Sequence, residues 1–233
     1  MRIRGASEQV AAAIQHHIQS ARLVPGDFLG REEDLAAEFG VSRPTLREAL
    51  KLLASGNLIR ATKGPGGGIF VAHTADQGMR RSLSEAIAMM LDTGAVSLEE
   101  LLDARLLLEV PLAGLAALQA DPPTVDRLRA ALAAETEAGG DIDAIHAADT
   151  EFHRGIAAAA GNRMAQALTG WVFEVLQPRL LGELRDTVVP SAVLDQHAAL
   201  LRAIERGDRA RAEHAMREHL LYLRDVLTMV REA

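Results

Sequence analysis

The stretch EEDLAAEFGVSRPTLREALKLLASGNLI, residues 32–59, decides the fold of the N-terminal part of this chain. Apolar residues recur at helical spacing on both sides of a Gly-Val turn, and this pattern predicts two helices joined by that turn. We expect the first helix over residues 31–39 and the second from Ser42, a good N-cap, to about Ser55. A further helix is predicted before them, over residues 8–22.

Two short β-like runs follow these helices. They span residues 58–61 and 69–72, and a glycine-rich tip lies between them, which predicts a β-hairpin. Three helices followed by a hairpin is the order of a winged helix-turn-helix. We therefore predict a winged helix-turn-helix DNA-binding domain over residues 1–74.

The rest of the chain is predicted to be all-helical. We expect a linker at residues 73–78 and then, over residues 79–233, an effector-binding and dimerisation domain. The breaks between periodic segments predict a mainly α fold, an antiparallel bundle of six or seven helices. The segments lie near residues 80–92, 97–119, 123–138, 141–160, 162–186, 190–206 and 208–231.

Composition narrows the class of protein. The chain has no Cys, which excludes disulfides, thiolate zinc sites and a Cys nucleophile. The net charge is −7, but residues 1–75 hold nine Lys and Arg against seven Asp and Glu, so this N-terminal part of the chain is weakly basic. We find no signal peptide and no uncharged apolar run near the ~18 residues of a membrane span, and we expect a cytoplasmic protein without membrane contact.

The start of the predicted third helix carries a pattern typical of DNA reading. Arg43 and Arg47 are four residues apart and share one helix face, from which arginine can grip guanine or phosphate. Ser42 and Thr45 can also reach DNA, and Lys63 lies in the predicted wing. The alternative is an ordinary solvated helix with two arginines.

Four ionisable residues interrupt the apolar stripes of three predicted helices. Asp149 and His153 are four residues apart, while His197 and His219 each fill a gap in a later stripe. The turn at Gly207 separates these two histidines nearly evenly, so an antiparallel helix pair brings them level. One Asp and three His facing inward suit Zn²⁺, Ni²⁺ or Mn²⁺. The alternative for each histidine is a hydrogen-bonded core residue, and the five other histidines lack the pattern.

Arg105 is the candidate for binding an effector. It is in phase with apolar neighbours and is expected to face inward, where it could hold a carboxylate. The alternative is an ion pair with Glu109, four residues later, and both roles can coexist. Asn162, after Gly161, is expected to cap a helix.

The N-terminal motifs resemble those of GntR-family repressors. The matching stretches are PGDFL (25–29), the opening stretch (32–59) and GPGGGIFV (64–71). The resemblance implies DNA contacts at Ser42, Arg43, Thr45, Arg47, Lys63 and Gly66. Glu33 stands where many members have Arg, and Arg31, two residues earlier, is a candidate to take its place.

The C-terminal motifs resemble the FCD ligand-binding domain of the FadR subfamily. The matching stretches are DARLLLEVPLAGLAA (103–117), DTEFHRGIAAAAGN (149–162) and QHAALLRAIERGDRARAEHAMREHL (196–220). The resemblance implies a divalent metal, Zn²⁺ first with Ni²⁺ or Mn²⁺ as alternatives, and a small organic acid beside it. Its implied metal ligands are Asp149, His153, His197 and His219. The acyl-CoA-binding branch lacks this set, so a long acyl chain is not expected.

Together these features predict a homodimeric transcriptional regulator, a repressor, that binds a double-stranded DNA operator under control of a small carboxylate effector. One rival is a metal-dependent hydrolase with a DNA-binding head, but no further inward acid stands out as a general base. The second rival is an architectural DNA-binding protein whose bundle only dimerises. We expect no enzymatic activity.

Overall fold

A computed structural model of the chain describes residues 5–64, 66–184 and 187–232, with all their side chains except those at positions 75, 76, 142 and 181. The described residues form two compact units, one up to Leu83 (the head) and one from Ser84 onward (the body). The fold is mainly α with one small sheet, which confirms the predicted fold class.

Three helices form the core of the head: α1 (Ala6–Ser20), α2 (Glu32–Glu38) and α3 (Arg43–Ser55). The α3 helix starts where the sequence predicts, because the Ser42 hydroxyl caps it and accepts a hydrogen bond from the Thr45 amide. Side chains from all three helices and the sheet share one apolar core; it includes Ile14, Leu35, Leu46, Ala49, Leu53, Ile59 and Ile69.

The sheet of the head has three antiparallel strands in the order β1-β3-β2: β1 (Phe28–Gly30), β2 (Ile59–Thr62) and β3 (Gly68–Val71). The β2 and β3 strands form the predicted hairpin, with Ile59 opposite Val71. Pro65, in the predicted tip, lies outside the described residues. The sequence prediction omitted β1, whose three residues are too few to show an alternating pattern.

The body is helical, and its described helices follow one another with short connections. They are α4 (Ala75–Asp92), which starts in the head, α5 (Leu98–Gln119), α6 (Pro122–Glu137), α7 (Ile142–Ala159), α8 (Arg163–Trp171), α9 (Gln177–Leu184), α10 (Pro190–Glu205) and α11 (Arg209–Glu232).

The α11 helix packs along α5 and α10, and α6 packs against α7 and α10. Gly207 makes the tight turn between α10 and α11 with a φ of +67°, a conformation that favours glycine. The turn sets the two long helices side by side. Side chains of α7, α10 and α11 share one apolar core, which includes Phe152, Leu200, Met216 and Leu220.

A π-helical turn, Val172–Leu176, joins α8 to α9. The sequence predicted one helix over residues 162–186; the structure instead has α8, the π-helical turn and α9 in succession, and residues 185 and 186 lie outside the described residues. Single π-turns inside helices occur frequently at functional sites. This one directly precedes Gln177, whose side chain is buried.

Candidate metal centre and DNA-reading surface

The N-terminus of α3 presents the predicted DNA-reading residues on the head. Ser42, Arg43 and Arg47 are exposed, and Thr45 is half-buried with its hydroxyl 2.8 Å from that of Ser42. The Ser42 hydroxyl is therefore already engaged in capping the helix. The side chains of Arg43 and Arg47, in contrast, are about 60% exposed. Both arginine side chains are therefore accessible from solvent.

Both arginines form ion pairs with acids at the start of α2. Arg47 Nε donates to Glu32 Oε1 at 2.6 Å, and Arg43 pairs with Glu33. Exposed ion pairs are weak, so phosphate or base can replace these acids at small cost. Glu33, the departure from the family pattern, thus contacts a predicted reading residue directly.

The remaining predicted DNA contacts lie near this helix in sequence or in the wing. Arg31 is exposed at the N-cap of α2, and Lys63 and Gly66 are exposed after β2. Arg60, which the sequence analysis did not single out, is exposed on β2 and its guanidinium lies over the Phe70 ring at 5.0 Å. The wing hairpin therefore exposes two cationic side chains, Arg60 and Lys63.

In the body, the four predicted metal ligands come together. Ligand atoms of Asp149, His153, His197 and His219 all lie within 4.8 Å of one another. Asp149 and His153 come from α7, His197 from α10 and His219 from α11, so the cluster joins three helices. Asp149 Oδ1 lies 3.7 Å from His153 Nε2 and 3.6 Å from His197 Nε2. The two helices that meet at Gly207 bring the last two imidazole rings to a centroid distance of 4.6 Å.

The three histidines share one hydrogen-bonding arrangement. Their Nε2 atoms are buried and have no hydrogen-bond partner among the described residues. Each Nδ1 instead contacts a side-chain oxygen, and the three contacts are His153 to Glu109 at 2.8 Å, His197 to Glu135 at 2.8 Å and His219 to Gln196 at 3.0 Å. A carboxylate or amide oxygen accepts, so Nδ1 carries the proton and Nε2 keeps its lone pair.

This arrangement fits a divalent metal. Unpaired buried nitrogens are costly unless something binds them. Metal-bound histidines usually donate their other N–H to a carboxylate or carbonyl, which fixes the ring and its tautomer. Glu109, Glu135 and Gln196 occupy that position here, and we call them the outer partners.

The protonation states of His219 and Glu109 favour the binding of a metal ion. Burial, together with the neighbouring His197 and His153, holds the pKa of His219 well below its ordinary value, so this ring is neutral at pH 7. Burial alone would raise the pKa of Glu109, but Arg105 and His153 outweigh it and lower that pKa to about 2. Glu109 is therefore a carboxylate, able to accept from His153 and Arg105 together.

Arg105 forms the ion pair with Glu109 that was the alternative to effector binding, and it also faces a pocket. It is 1% exposed, and its Nε donates to Glu109 Oε1 at 2.5 Å in a buried ion pair. Its side chain also lines a pocket of about 330 Å³ beside the metal-ligand cluster. Asp149 and His219 line the same pocket, so a molecule within it could reach Arg105 and the cluster.

Two residues of the pocket wall were missed by the sequence analysis. His146 Nδ1 and Gln177 Oε1 are buried without a hydrogen-bond partner among the described residues. The sequence pattern groups His146 with the ordinary histidines, and no periodic signal marks Gln177. Glu135 did carry a signal, since it lies seven residues after the buried Leu128 and so on the same face of α6. Asn162 caps α8 as predicted, accepting from two backbone amides.

The head and the body define a class of protein. A winged helix-turn-helix with exposed arginines, followed by a helical domain, is the architecture of a DNA-binding regulator. None of the described helices combines the length and apolar character needed to cross a bilayer.

Family comparison gives the particular family. Residues 6–71 match the bacterial regulatory proteins of the gntR family, and residues 100–222 match the FCD domain. The chain belongs to the GntR family of bacterial transcriptional regulators, and its body carries an FCD domain. This confirms the resemblance inferred from the motifs.

Individual relatives agree with this assignment. The Uxu operon transcriptional regulator of Escherichia coli is 31% identical over 91% of this chain and 83% of its own length. The HTH-type transcriptional regulator LutR of Bacillus subtilis is 29% identical over 91% of this chain and 96% of its own. Among solved structures, Streptococcus agalactiae GntR matches with a TM-score of 0.78 and 25% identity, over 94% of this chain and 99% of that one. These relatives are regulators, so the hydrolase alternative has no support and the chain is a regulator rather than an enzyme.

Proposed function

We propose that this regulator is a repressor whose operator affinity is controlled by a small organic acid bound at a metal in the body. The observation that carries the proposal is the set of three buried Nε2 atoms without partners, gathered around Asp149. Buried polar atoms are nearly always paired in proteins, so three such nitrogens beside one carboxylate favour a bound ligand at this place.

Asp149, His153, His197 and His219 are the proposed metal ligands. A set of three imidazoles and one carboxylate suits Zn²⁺ first, with Ni²⁺ or Mn²⁺ as alternatives. When bound, the metal supplies a localised positive charge that attracts a carboxylate. The ligands lie on three helices, so metal binding would also stabilise the body.

Arg105 is the proposed second contact of the acid. Its Nε and Nη2 are hydrogen-bonded to Glu109, while Nη1 has no such bond to the residues that the structure describes. The pocket is lined by this side chain and by Asp149 and His219. A carboxylate in the pocket would thus lie between a guanidinium and the proposed metal.

On the head, the proposed DNA contacts are those exposed at α3, α2 and the wing. They are Arg31, Ser42, Arg43, Thr45, Arg47, Lys63 and Gly66. Helix-turn-helix regulators read two half-sites with two recognition helices, so the proposed operator is pseudo-palindromic and the proposed regulator is a homodimer. Residues 1–74 are the proposed DNA-binding domain and residues 79–233 the effector-binding and dimerisation domain.

An exposed apolar surface on α5 and α8 supports dimerisation. Leu107 is 78% exposed and Leu118 is 57% exposed, and their spacing of eleven residues puts them on one face of α5. Met164 and Leu168 are exposed on α8, which packs against α5 around Leu112. Exposed apolar side chains on one face of a helix suit an interface, and a second copy of this chain is the partner that a two-fold operator requires.

The π-helical turn connects the pocket with α4. Glu174, in that turn, accepts a hydrogen bond from Ser84 of α4 at 2.7 Å, and Ser84 is buried. Gln177 lines the pocket one helical turn further along the chain. An acid that moves Gln177 would act on Ser84 and hence on α4, the helix through which the chain leaves the head.

Metal content and acid binding test the proposal together. Wild-type protein, purified without chelator, should carry close to one divalent metal per chain, and small carboxylates should raise its melting temperature. The His197→Ala variant should lose both properties, and His214→Ala, an exposed histidine of α11, is the matched control. Full metal occupancy in His197→Ala would refute the assignment. Tight operator binding without metal and without any acid response would favour the architectural alternative.

A further inference from the structure

The pocket beside the metal-ligand cluster has two unlike walls. Its charged wall is made of Arg105, Glu135, Asp149 and His219, which are cluster residues or their neighbours. Under the proposed function, on which the following inference rests, this wall is occupied by the metal and by the acid's carboxylate. The rest of the pocket must therefore recognise the body of the acid.

The other wall is aliphatic. It includes side chains from α7, α9, α10 and α11, namely Ile145, Leu180, Leu184, Val193, Leu194 and Leu223. A hydroxyl group placed against such side chains loses its water without gaining a hydrogen bond, which disfavours binding. A hydrocarbon group in the same place gains free energy in proportion to the apolar surface it buries.

Few polar atoms remain to satisfy further polar groups on the acid. Among the described lining residues, His146 Nδ1 and Gln177 Oε1 are the buried side-chain atoms outside the charged wall that lack a partner. Thr136 also lines the pocket, but its hydroxyl donates to the Leu132 carbonyl at 2.9 Å. The side chains of His146, Gln177 and Thr136 can satisfy one or two polar groups next to a carboxylate, but not the row of hydroxyls of a sugar acid.

We infer that the pocket selects a monocarboxylic acid with a compact hydrocarbon body, carrying at most one or two further polar groups, over polyhydroxylated acids. The volume of about 330 Å³ sets the size of that body, because it lies near the lower end of the ~300–1,000 Å³ of ligand pockets. A branched aliphatic or single-ring acid is of suitable size.

Three acids with the same α-hydroxycarboxylate group test this inference: lactate, 2-hydroxy-4-methylpentanoate and gluconate. Their bodies are a methyl group, an isobutyl group and a chain of hydroxylated carbons. Isothermal titration of each into the metal-loaded full-length protein gives the dissociation constants. We expect 2-hydroxy-4-methylpentanoate to bind at least tenfold more tightly than either of the others, because its isobutyl group buries far more apolar surface against the aliphatic wall than a methyl group or a hydroxylated chain does.

The outcomes separate the inference from the proposed function. Gluconate binding as tightly as 2-hydroxy-4-methylpentanoate would overturn the inference and leave the metal-bound acid in place. Binding of none of the three acids to metal-loaded protein would overturn the proposed function itself, and the inference with it.

Variants of the aliphatic wall give a second measurement. Val193→Thr keeps the shape of the side chain but exchanges a methyl group for a hydroxyl, and Leu223→Asn makes a larger polar change. Both should lower the preference for 2-hydroxy-4-methylpentanoate over lactate by at least threefold, with metal content measured in parallel. An unchanged preference in both folded variants would contradict the assignment of this wall.

Discussion

Replacing Glu135 should weaken metal binding although Glu135 is not a metal ligand. This side chain is 4% exposed, and its Oε2 lies 2.8 Å from His197 Nδ1. The carboxylate holds the ring with Nε2 toward the cluster and makes that nitrogen a stronger donor to a metal. Removal of such outer partners typically lowers metal affinity by roughly 10- to 100-fold.

Two substitutions separate the contribution of the hydrogen-bond acceptor on Glu135 from that of its negative charge. Glu135→Gln keeps an oxygen that can accept from His197 but removes the negative charge, so we expect a loss of roughly tenfold, or ~1.4 kcal/mol. Glu135→Leu removes both the acceptor and the charge, so we expect a loss of roughly 100-fold, or ~2.7 kcal/mol. The order of the two losses is the decisive feature.

Competition with a chromophoric chelator measures the zinc dissociation constant of each variant. Glu137→Gln is the matched control, because Glu137 is exposed on the same helix two residues later and should leave zinc affinity unchanged. Circular dichroism of the metal-free proteins shows whether each variant is folded. A folded Glu135→Leu protein with wild-type zinc affinity would refute the reasoning about the outer partners.

Four further perturbations address the reading surface, the buried ion pair and the dimer. Arg47→Ala should weaken operator binding at ~150 mM salt by about 1–3 kcal/mol with little change in melting temperature, measured by fluorescence anisotropy; unchanged affinity would count against its role. Glu33→Gln should do the reverse, raising operator affinity up to about fivefold by freeing the arginine with which it pairs, and a loss of affinity would contradict this. Arg105→Met should lower the free energy of unfolding in urea by about 3–5 kcal/mol, because it leaves the charge of the buried Glu109 carboxylate without its guanidinium partner, with only the His153 hydrogen bond remaining, and adding Glu109→Gln should restore part of that loss. Leu107→Glu should convert a dimer to a monomer in sedimentation velocity at micromolar concentration, and a dimer that persists would exclude this face as the interface.

The parts of the fold that sequence predicted well are those marked by local chemistry. Ser42 predicted the start of α3 because only a few residue types cap a helix, and Asn162 did the same for α8. Gly207 predicted the turn between α10 and α11 for a similarly local reason, the positive φ of its backbone. These signals require no knowledge of which helices pack together.

The features that sequence missed depend on tertiary packing. Gln196 holds His219, yet it lies beside His197 on α10, and nothing in its own helix marks it as a partner of α11. The π-helical turn before Gln177 likewise has a sequence, VFEVL, in which no residue type distinguishes it from an α-helix. The periodicity of apolar residues did place the four proposed metal ligands on inward faces, because a polar residue in an apolar stripe is conspicuous on its own helix. The residue that forms a hydrogen bond with this polar side chain, however, can come from a neighbouring helix, which the pattern of one helix does not show.

The account's central claim is that an acid bound at the metal-ligand cluster changes how tightly the head binds DNA. The direct measurement is the operator dissociation constant of metal-loaded protein, with and without a saturating carboxylate, for wild type and His197→Ala. We predict a change of at least fivefold in wild type, within the usual range of allosteric coupling, and none in the variant. An equal response in both proteins, or no response of the wild type to an acid that it demonstrably binds, would contradict the claim.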